Sequence, residues 1–188
     1  VLRSIPNITI LSPADCGETA KCVYAAAKHH ESVYIRLTGG SNNPPVYKTD
    51  YKFEIGKAIK LRDGEDLTIF ATGNMFHKAL NVASILDGQK ISASVINIHT
   101  IKPIDADIIN EESKKVKLFV SIEEHNIIGG LSSSISEVMS RTEGSPKLMS
   151  YGVNDYYEKG GDHSYLQKKY GLDEANIVLG ISNELKKI

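Results

Sequence analysis

The sequence predicts an α/β protein. Its main part is a three-layer α/β/α domain, in which helices cover both faces of a mostly parallel sheet, and a smaller strand-helix-strand unit precedes it. From residue 67 onward, short apolar segments typical of strands alternate with segments whose apolar residues recur at helical spacing. Residues 38–51 separate the two parts, because they carry glycine, asparagine and proline without any periodicity.

The smaller unit comes first along the chain. A turn at Pro6-Asn7 precedes a strand predicted at 8–11, a helix runs to about His29, and a second strand is predicted at 32–37. Asp15 and Glu18 predict a capping box, in which Asp15 accepts backbone N–H bonds at the helix start and Glu18 reaches back. Two strands and one helix bury too little apolar area to offset chain entropy, so this unit must add to a larger sheet.

The larger part begins with a strand predicted at 53–61. Residues 62–66 then turn the chain into a buried strand at 67–71, and a five-residue turn between adjacent strands favours an antiparallel pair. Thr72-Gly73-Asn74 follows at a helix amino terminus, where free N–H groups could hold an anion. We expect these residues to cap the helix instead.

The remaining elements continue the alternation. In chain order they are a helix at 75–86, a strand at 91–98, a connection at 99–105, a short helix at 107–115, a strand from about residue 118, a helix after Gly129-Gly130, a strand at 148–153, a loop at 154–162, and helices at 164–170 and 174–187. Such alternation implies a mostly parallel sheet with both faces covered.

Residues 116–139 form the segment around which the rest is organised. An apolar strand breaks at the polar residues Glu123-Glu124-His125, and Gly129-Gly130 turns the chain sharply into a helix. In open α/β sheets, ligands and partners dock at the carboxyl ends of the strands. Two carboxylates and a histidine could form an acid-base set there, since paired carboxylates shift each other's pKa. We expect structural or interface roles for them.

Composition excludes several classes of function. A net charge of −1 argues against nucleic-acid binding, because neutralising several phosphates requires clustered lysine and arginine. No apolar run approaches the ~20 residues that span a bilayer, and no signal peptide opens the chain, so we predict a cytoplasmic protein without membrane contact. Cys16 and Cys22 are six residues apart on a predicted helix, which favours reduced thiols over a disulfide.

Five stretches, in this order, resemble the last third of transketolase-like, thiamine-diphosphate-dependent enzymes. They are LRSIPN with SPAD and CGE at 2–18, GKAIKLRDGEDLTIFATG at 56–73, VINIHTIKPID at 95–105, EEHNIIGGLSS at 123–133, and YGVND with the downstream GGD and YGLD. The resemblance implies a pyrimidine-binding domain whose tail is residues 1–45, a linker at 46–52, and a transketolase-like carboxyl-terminal domain at 53–188. It also implies one antiparallel edge strand in an otherwise parallel sheet.

The resemblance also implies what a complete enzyme would do. Such enzymes use thiamine diphosphate and Mg²⁺ to transfer a ketol or acyl unit between carbonyl compounds. The metal motif, the activating glutamate and the substrate histidines of the family have no counterpart in this chain. The resemblance therefore predicts no catalytic residue and no metal ligand here, no cofactor binding by this chain alone, and no turnover without an amino-terminal cofactor-binding domain or subunit. It also implies a homodimer.

The resemblance suggests a substrate-binding loop at Arg36, Thr38, Gly39 and Gly40. Family members that use sugar phosphates carry a phosphate-binding arginine where this chain has Gly39, and glycine offers no guanidinium donors. Whether the substrate is phosphorylated therefore stays open. An ordinary ion pair is the expected role of Arg36.

A second set of candidates could lie at a subunit interface or at the rim of the sheet. It comprises His99, Glu123, Glu124, His125, Gly129 and Gly130. Two other classes of protein stay open at this point. One is a free-standing α/β module that binds a small anion at the rim made by residues 72–74, His99 and residues 123–125, and the other is a purely structural dimerisation domain.

Overall fold

A computed structural model describes residues 1–38 and 44–188. A 3₁₀ turn at Leu2–Ser4 precedes the first strand. The strands are β1 (Ile8–Leu11), β2 (Ser32–Ile35), β3 (Ile59–Arg62), β4 (Leu67–Ala71), β5 (Ala93–Asn97), β6 (Thr100–Lys102), β7 (Leu118–Asn126) and β8 (Lys147–Val153). The helices are α1 (Cys16–Ala26), α2 (Met75–Asp87), α3 (Ala106–Ser113), α4 (Leu131–Met139), α5 (His163–Lys169) and α6 (Glu174–Leu185). Residues 39–43 of the predicted loop lie outside the described residues.

The larger sheet has five strands in the order β3-β5-β4-β7-β8. Strands β4, β5, β7 and β8 are parallel, and β3 pairs antiparallel with β5 at the edge. The predicted mixed sheet with one antiparallel edge strand is confirmed.

The predicted pairing of the first two strands of this domain is wrong. Strand β3 is shorter than the predicted 53–61 and pairs with β5, while β4 lies on the far side of β5. The turn crosses over the start of β5, where the Gly64 amide donates to Ser94 Oγ at 2.8 Å. A Cβ on Gly64 would lie 2.1 Å from the Ala93 carbonyl carbon, so only glycine permits this close crossing.

Two apolar layers pack on opposite faces of the larger sheet. Alternate strand residues divide between them, so that Ile69 packs with α2 and α6 while its neighbour Phe70 packs with α3 and α4. Phe70 and Phe119 meet edge to face with ring centroids 4.9 Å apart. The predicted three-layer architecture is therefore confirmed.

The smaller sheet contains three strands in the order β2-β1-β6. Strands β1 and β2 are parallel, and β6 joins β1 antiparallel from within the larger domain. The sequence predicts only a connection at 99–105, because a three-residue strand carries too little periodicity to be recognised. The sequence predicts that the first unit adds to a larger sheet; among the described residues it gains the short strand β6 and stays separate from the five-stranded sheet.

A buried carboxylate joins the two parts of the chain. The capping box is present, since the Glu18 amide donates to Asp15 Oδ1 at 2.8 Å and Glu18 Oε2 accepts from the Ala14 amide at 2.7 Å. Glu18 is fully buried, and three more side chains donate to it: Asn97 at 2.9 and 3.0 Å, Tyr47 at 2.9 Å and Tyr51 at 3.0 Å. Burial raises the pKa of Glu18, and these donors offset part of that rise.

Residues of the predicted linker take part in the same junction. Asp15 Oδ2 accepts from the Val46 amide at 2.9 Å, and Val46 is buried in the larger core.

Both cysteines are free thiols, with Cys16 exposed and Cys22 buried. In residues 1–38 and 44–188, no helix is both long and apolar enough to cross a bilayer.

We expect Glu18→Ala to lower the free energy of unfolding by about 3 kcal/mol, because it leaves an amide and several side-chain donors buried without an acceptor. Glu18→Gln should cost about 1 kcal/mol, since the amide oxygen still accepts. Urea denaturation of the three proteins measures this. Glu65→Ala, at an exposed position, is the control and should stay within about 0.5 kcal/mol of the wild type. Equal stability of Glu18→Ala and Glu65→Ala would contradict the assigned role.

Candidate functional site

A cavity of about 270 Å³ opens where the carboxyl ends of β1 and β2 face the ends of β4 and β7. The resemblance-derived Arg36 and five of the six rim candidates line it. Its lining consists of Val1, Leu2, Arg3, Ile10, Ser12, Tyr34, Arg36, Thr72, Ile101, Glu123, Glu124, His125, Gly129, Gly130 and Leu131. The structure thus brings together residues that the sequence assigned to two separate groups.

Glu123 is 1% exposed and caps the helix that follows it. Its two carboxylate oxygens accept from the first two amides of α4, those of Leu131 at 2.7 Å and Ser132 at 2.8 Å. Burial raises the pKa of Glu123, whereas these two N–H groups and the nearby charges of His125 and Arg36 act to lower it. The carboxylate is therefore committed to the helix amino terminus.

Gly130 leaves the space that this cap requires. A Cβ at Gly130 would lie 1.9 Å from Glu123 Oε2 and 2.8 Å from the Asn126 carbonyl oxygen. Gly129 has φ +82°, a left-handed conformation, but a Cβ there would meet nothing within 4 Å. The two glycines are thus needed for different reasons, one for space and the other for backbone conformation.

Glu124 points away from Glu123, since successive strand residues face opposite sides. Its Oε2 accepts from Asn74 Nδ2 at 2.6 Å, while Oε1 accepts from Gln167 Nε2 at 3.2 Å and contacts His163 Nε2. Asn74 therefore makes no side-chain cap on α2, contrary to the capping role predicted for residues 72–74. The carboxylate of Glu124 attracts its amide group instead.

The two candidate histidines have different environments. His125 is exposed, and its Nδ1 lies 2.9 Å from the Asn126 carbonyl oxygen. His99 is fully buried, with its Nδ1 2.9 Å from Thr100 Oγ1 and its ring centroid 4.3 Å from that of Phe53. Burial lowers the pKa of His99 to about 4. His99 therefore lies away from the cavity and from the surface of this chain.

Arg36 and Thr38 follow the end of β2. Arg36 is half-buried, and its Nη2 donates to the Glu124 carbonyl oxygen at 2.7 Å. Within the described part of the chain, Arg36 forms no ion pair within 4.0 Å, so the expected ion pair is not present. Thr38 is half-buried in irregular backbone. Gly39 and Gly40 lie outside the described residues.

Two further polar lining residues, Ser12 and Arg3, were not among the candidates named from the sequence. Ser12 comes directly after the buried strand β1, as Thr72 of the predicted 72–74 rim comes directly after β4, and this shared position is the signal that could have revealed it. Arg3 reaches the site from a distant part of the sequence, donating to the Gly129 carbonyl oxygen at 3.3 Å and pairing with Glu137 at 2.5 Å. No local pattern in the sequence predicts that contact.

The carboxylates of the cavity are already bound to other groups of this chain. In the ranges 1–38 and 44–188, no three His, Cys, Asp or Glu side chains group as metal ligands. Both oxygens of Glu123 are occupied by backbone amides, and Glu124 is bound to side chains.

The fold and cavity define a class of protein: a three-layer α/β domain joined through a short shared sheet to the end of a second unit. Comparison with known proteins then gives the family. Residues 56–177 match the transketolase carboxyl-terminal domain, and the chain belongs to the transketolase family. The resemblance found in the sequence is confirmed.

Several relatives share most of this chain. A protein of Methanocaldococcus jannaschii described as a transketolase C-terminal section is 39% identical over all of this chain and 58% of its own length. One of the subunits of the apulose-4-phosphate transketolase of Phocaeicola vulgatus is 33% identical over all of this chain and 59% of its own length. A 1-deoxy-D-xylulose-5-phosphate synthase of Caldanaerobacter subterraneus is 35% identical over all of this chain and 30% of its own length.

Comparison with solved structures agrees with this family assignment. A split gene transketolase, solved as an inactive beta4 tetramer, superposes with a TM-score of 0.89 at 37% identity, over 98% of this chain and 59% of that one. Campylobacter jejuni transketolase, at 16% identity and a TM-score of 0.68, shows the common fold alone. The chain thus corresponds to the carboxyl-terminal section of a transketolase-like protein and spans about half the length of its subunit-sized relatives.

The first prediction from this site compares its two glycines. Gly130→Ala should lower the free energy of unfolding by about 3 kcal/mol, because the new methyl group displaces the Glu123 carboxylate from the amides of α4. Gly129→Ala should cost only about 1 kcal/mol, the strain of a left-handed alanine with free space around it. Chemical denaturation tests this. Equal losses in the two variants would show that Glu123 does not depend on the space at Gly130.

The second prediction concerns the buried histidine. His99 is held neutral in the folded state, so below its ordinary pKa of 6.5 the unfolded chain binds the extra proton and stability falls with pH. The contribution is fully present above pH 6.5 and is lost progressively toward pH 4. From pH 7 to pH 5 we expect the wild type to lose about 2 kcal/mol more than His99→Gln. Parallel pH profiles of the two would refute this.

Proposed function

We propose that this chain is the carboxyl-terminal part of one subunit of a transketolase-like enzyme that transfers a ketol unit between carbonyl compounds with thiamine diphosphate and Mg²⁺. Its relatives support this, because the Phocaeicola vulgatus transketolase subunit and the transketolase subunit SqwH of a Clostridium strain align over nearly all of this chain. Membership of the family implies thiamine diphosphate chemistry in general. The cofactor would be held by an amino-terminal partner.

The proposal rests on the open edge of the smaller sheet at β2. Strand β2 is an outer strand with one neighbour among the described residues, and its Tyr34 is 40% exposed. Helix α1, in the same unit, exposes Val23 at 53% and Tyr24 at 73%. Exposed apolar side chains beside an open strand edge favour contact with further protein. We propose that this side faces the remainder of the pyrimidine-binding domain or a partner subunit.

In the complete assembly, the described residues would serve as structure. They would fix the carboxyl-terminal domain against the pyrimidine-binding domain through Glu18 and contribute one wall to the region around Arg36. The bond making and breaking would belong to the cofactor. A homodimer of the assembly is part of this proposal, and the cytoplasmic location stays a prediction.

The test is reconstitution. The complete protein that carries this chain, purified with an affinity tag from its native source, should bring an amino-terminal, cofactor-binding chain with it. The pair should convert a 2-hydroxy ketone and an aldehyde into a new ketose only when thiamine diphosphate and Mg²⁺ are both added. Association is measured separately by sedimentation velocity, so that loss of binding is distinguished from loss of activity.

A matched pair of variants tests the surface. Tyr24→Glu should weaken association by about tenfold, because it places a charge in an apolar contact. Leu179→Glu changes a residue on α6 that is 60% exposed and should leave association unchanged. Thermal unfolding of both variants checks that they fold. Full association by Tyr24→Glu, or a tagged protein that sediments alone and lacks ketol transfer, would refute the proposal.

A further inference from the structure

The cavity beside Arg36 contains polar groups that the fold does not use. Ser12 is 1% exposed and Thr72 is 7% exposed, and both line the cavity. Their hydroxyl oxygens are buried and, within the described ranges, have no hydrogen-bond partner. A buried hydroxyl without a partner destabilises a fold. Two of them in the lining of one cavity indicate a place where a ligand supplies the missing hydrogen bonds.

The guanidinium of Arg36 lies beside the same cavity. The Cβ position of Gly73 lies 2.9 Å from Ser12 Oγ and 3.9 Å from Arg36 Nη1, so both polar groups border the space that glycine leaves here. Arg36 has no carboxylate within 4.0 Å in the described part of the chain, and residues 39–43 contain no acid. Within the described ranges, its one side-chain hydrogen bond goes to the Glu124 carbonyl oxygen.

The acidic groups of the lining and its second arginine are already paired. Both oxygens of Glu123 accept from the amides of α4, and the carboxylate of Glu124 is bound to Asn74 and Gln167. Arg3 is paired with Glu137. Arg36 is therefore the arginine of the cavity to which an incoming anion can bind most readily.

The remaining wall is apolar. Ile10, Ile101 and Leu131 line the cavity, at 6%, 9% and 1% exposure respectively. A polar end with one cation and two hydroxyls, facing an aliphatic wall, is complementary to a small amphipathic anion. Bare phosphate would satisfy the polar end but leave the apolar wall uncovered.

We propose that this cavity binds a small monocarboxylate with an aliphatic body. Arg36 and the hydroxyls of Ser12 and Thr72 bind its carboxylate, and Ile10, Ile101 and Leu131 cover its hydrocarbon part. The proposal rests on the described residues of this cavity alone. Because it lies between the smaller sheet and the larger domain, an occupant contacts both.

Isothermal titration of the complete protein with three probes tests the proposal. The probes are 3-methylbutanoate, its neutral amide 3-methylbutanamide, and inorganic phosphate. We expect 3-methylbutanoate to saturate one site with a Kd on the order of 1 mM or tighter, and the amide and phosphate each to bind at least about tenfold more weakly. Equal binding of acid and amide, stronger binding of phosphate, or no saturation by 3-methylbutanoate would each overturn it.

Variants separate ligand binding from folding. Ser12→Ala and Thr72→Val remove hydroxyls that have no partner among the described residues, so both should keep or raise the melting temperature while weakening 3-methylbutanoate binding by about threefold to tenfold. Arg36→Gln should weaken it by about tenfold or more, and Arg141→Gln, at an exposed position, should not change it. Unchanged affinity in Ser12→Ala and Thr72→Val would overturn the assignment of the hydroxyls to the ligand.

Discussion

The rest of this structure depends on the buried carboxylate of Glu18. It accepts from the Ala14 amide at the start of α1, from Asn97 at the end of β5, and from Tyr47 and Tyr51 in the segment that links the two parts. One buried carboxyl group thus holds the smaller unit, the link and the larger sheet against one another. Because a buried carboxylate is costly unless its donors are all in place, this arrangement tolerates little change in orientation.

The position of the cavity follows from that junction. Fixing α1 on the end of β5 also fixes β1, which precedes α1, beside the strand ends of the larger sheet. The Ser12 amide then donates to the His99 carbonyl oxygen at 2.8 Å, and the Gly73 amide donates to the Ser12 carbonyl oxygen at 3.2 Å. These backbone bonds join the end of β1 to the residues that follow β4 and β5. The polar lining of the cavity is a consequence of how the two units are joined, since neither unit alone contains all of its residues.

Much of the fold could be predicted from the sequence, because most of it is encoded locally. Alternating apolar segments located the strands β4, β5 and β7, and the capping box marked the start of α1. The pairing of β3 with β5, which passes over the next strand β4, could not be predicted in the same way. The turn after β3 has the length of a hairpin, and only the close contact of Gly64 with β5 reveals that the chain crosses a third strand.

In the candidate site, one contact could not be predicted from the sequence, whereas the directions of two carboxylates could. Arg3 joins the cavity by a contact 126 residues away in sequence, which no local pattern predicts. The opposite directions of Glu123 and Glu124 were predictable, however, since neighbours on a strand face opposite sides. Two such carboxylates cannot share one proton as an acid-base pair. Each instead accepts from the nearest donors on its own side: backbone amides of α4 for Glu123, and for Glu124 the side chains of Asn74, just before α2, and Gln167 on α5. Both acids lie within β7, which continues to Asn126, so the strand itself separates the two carboxylates.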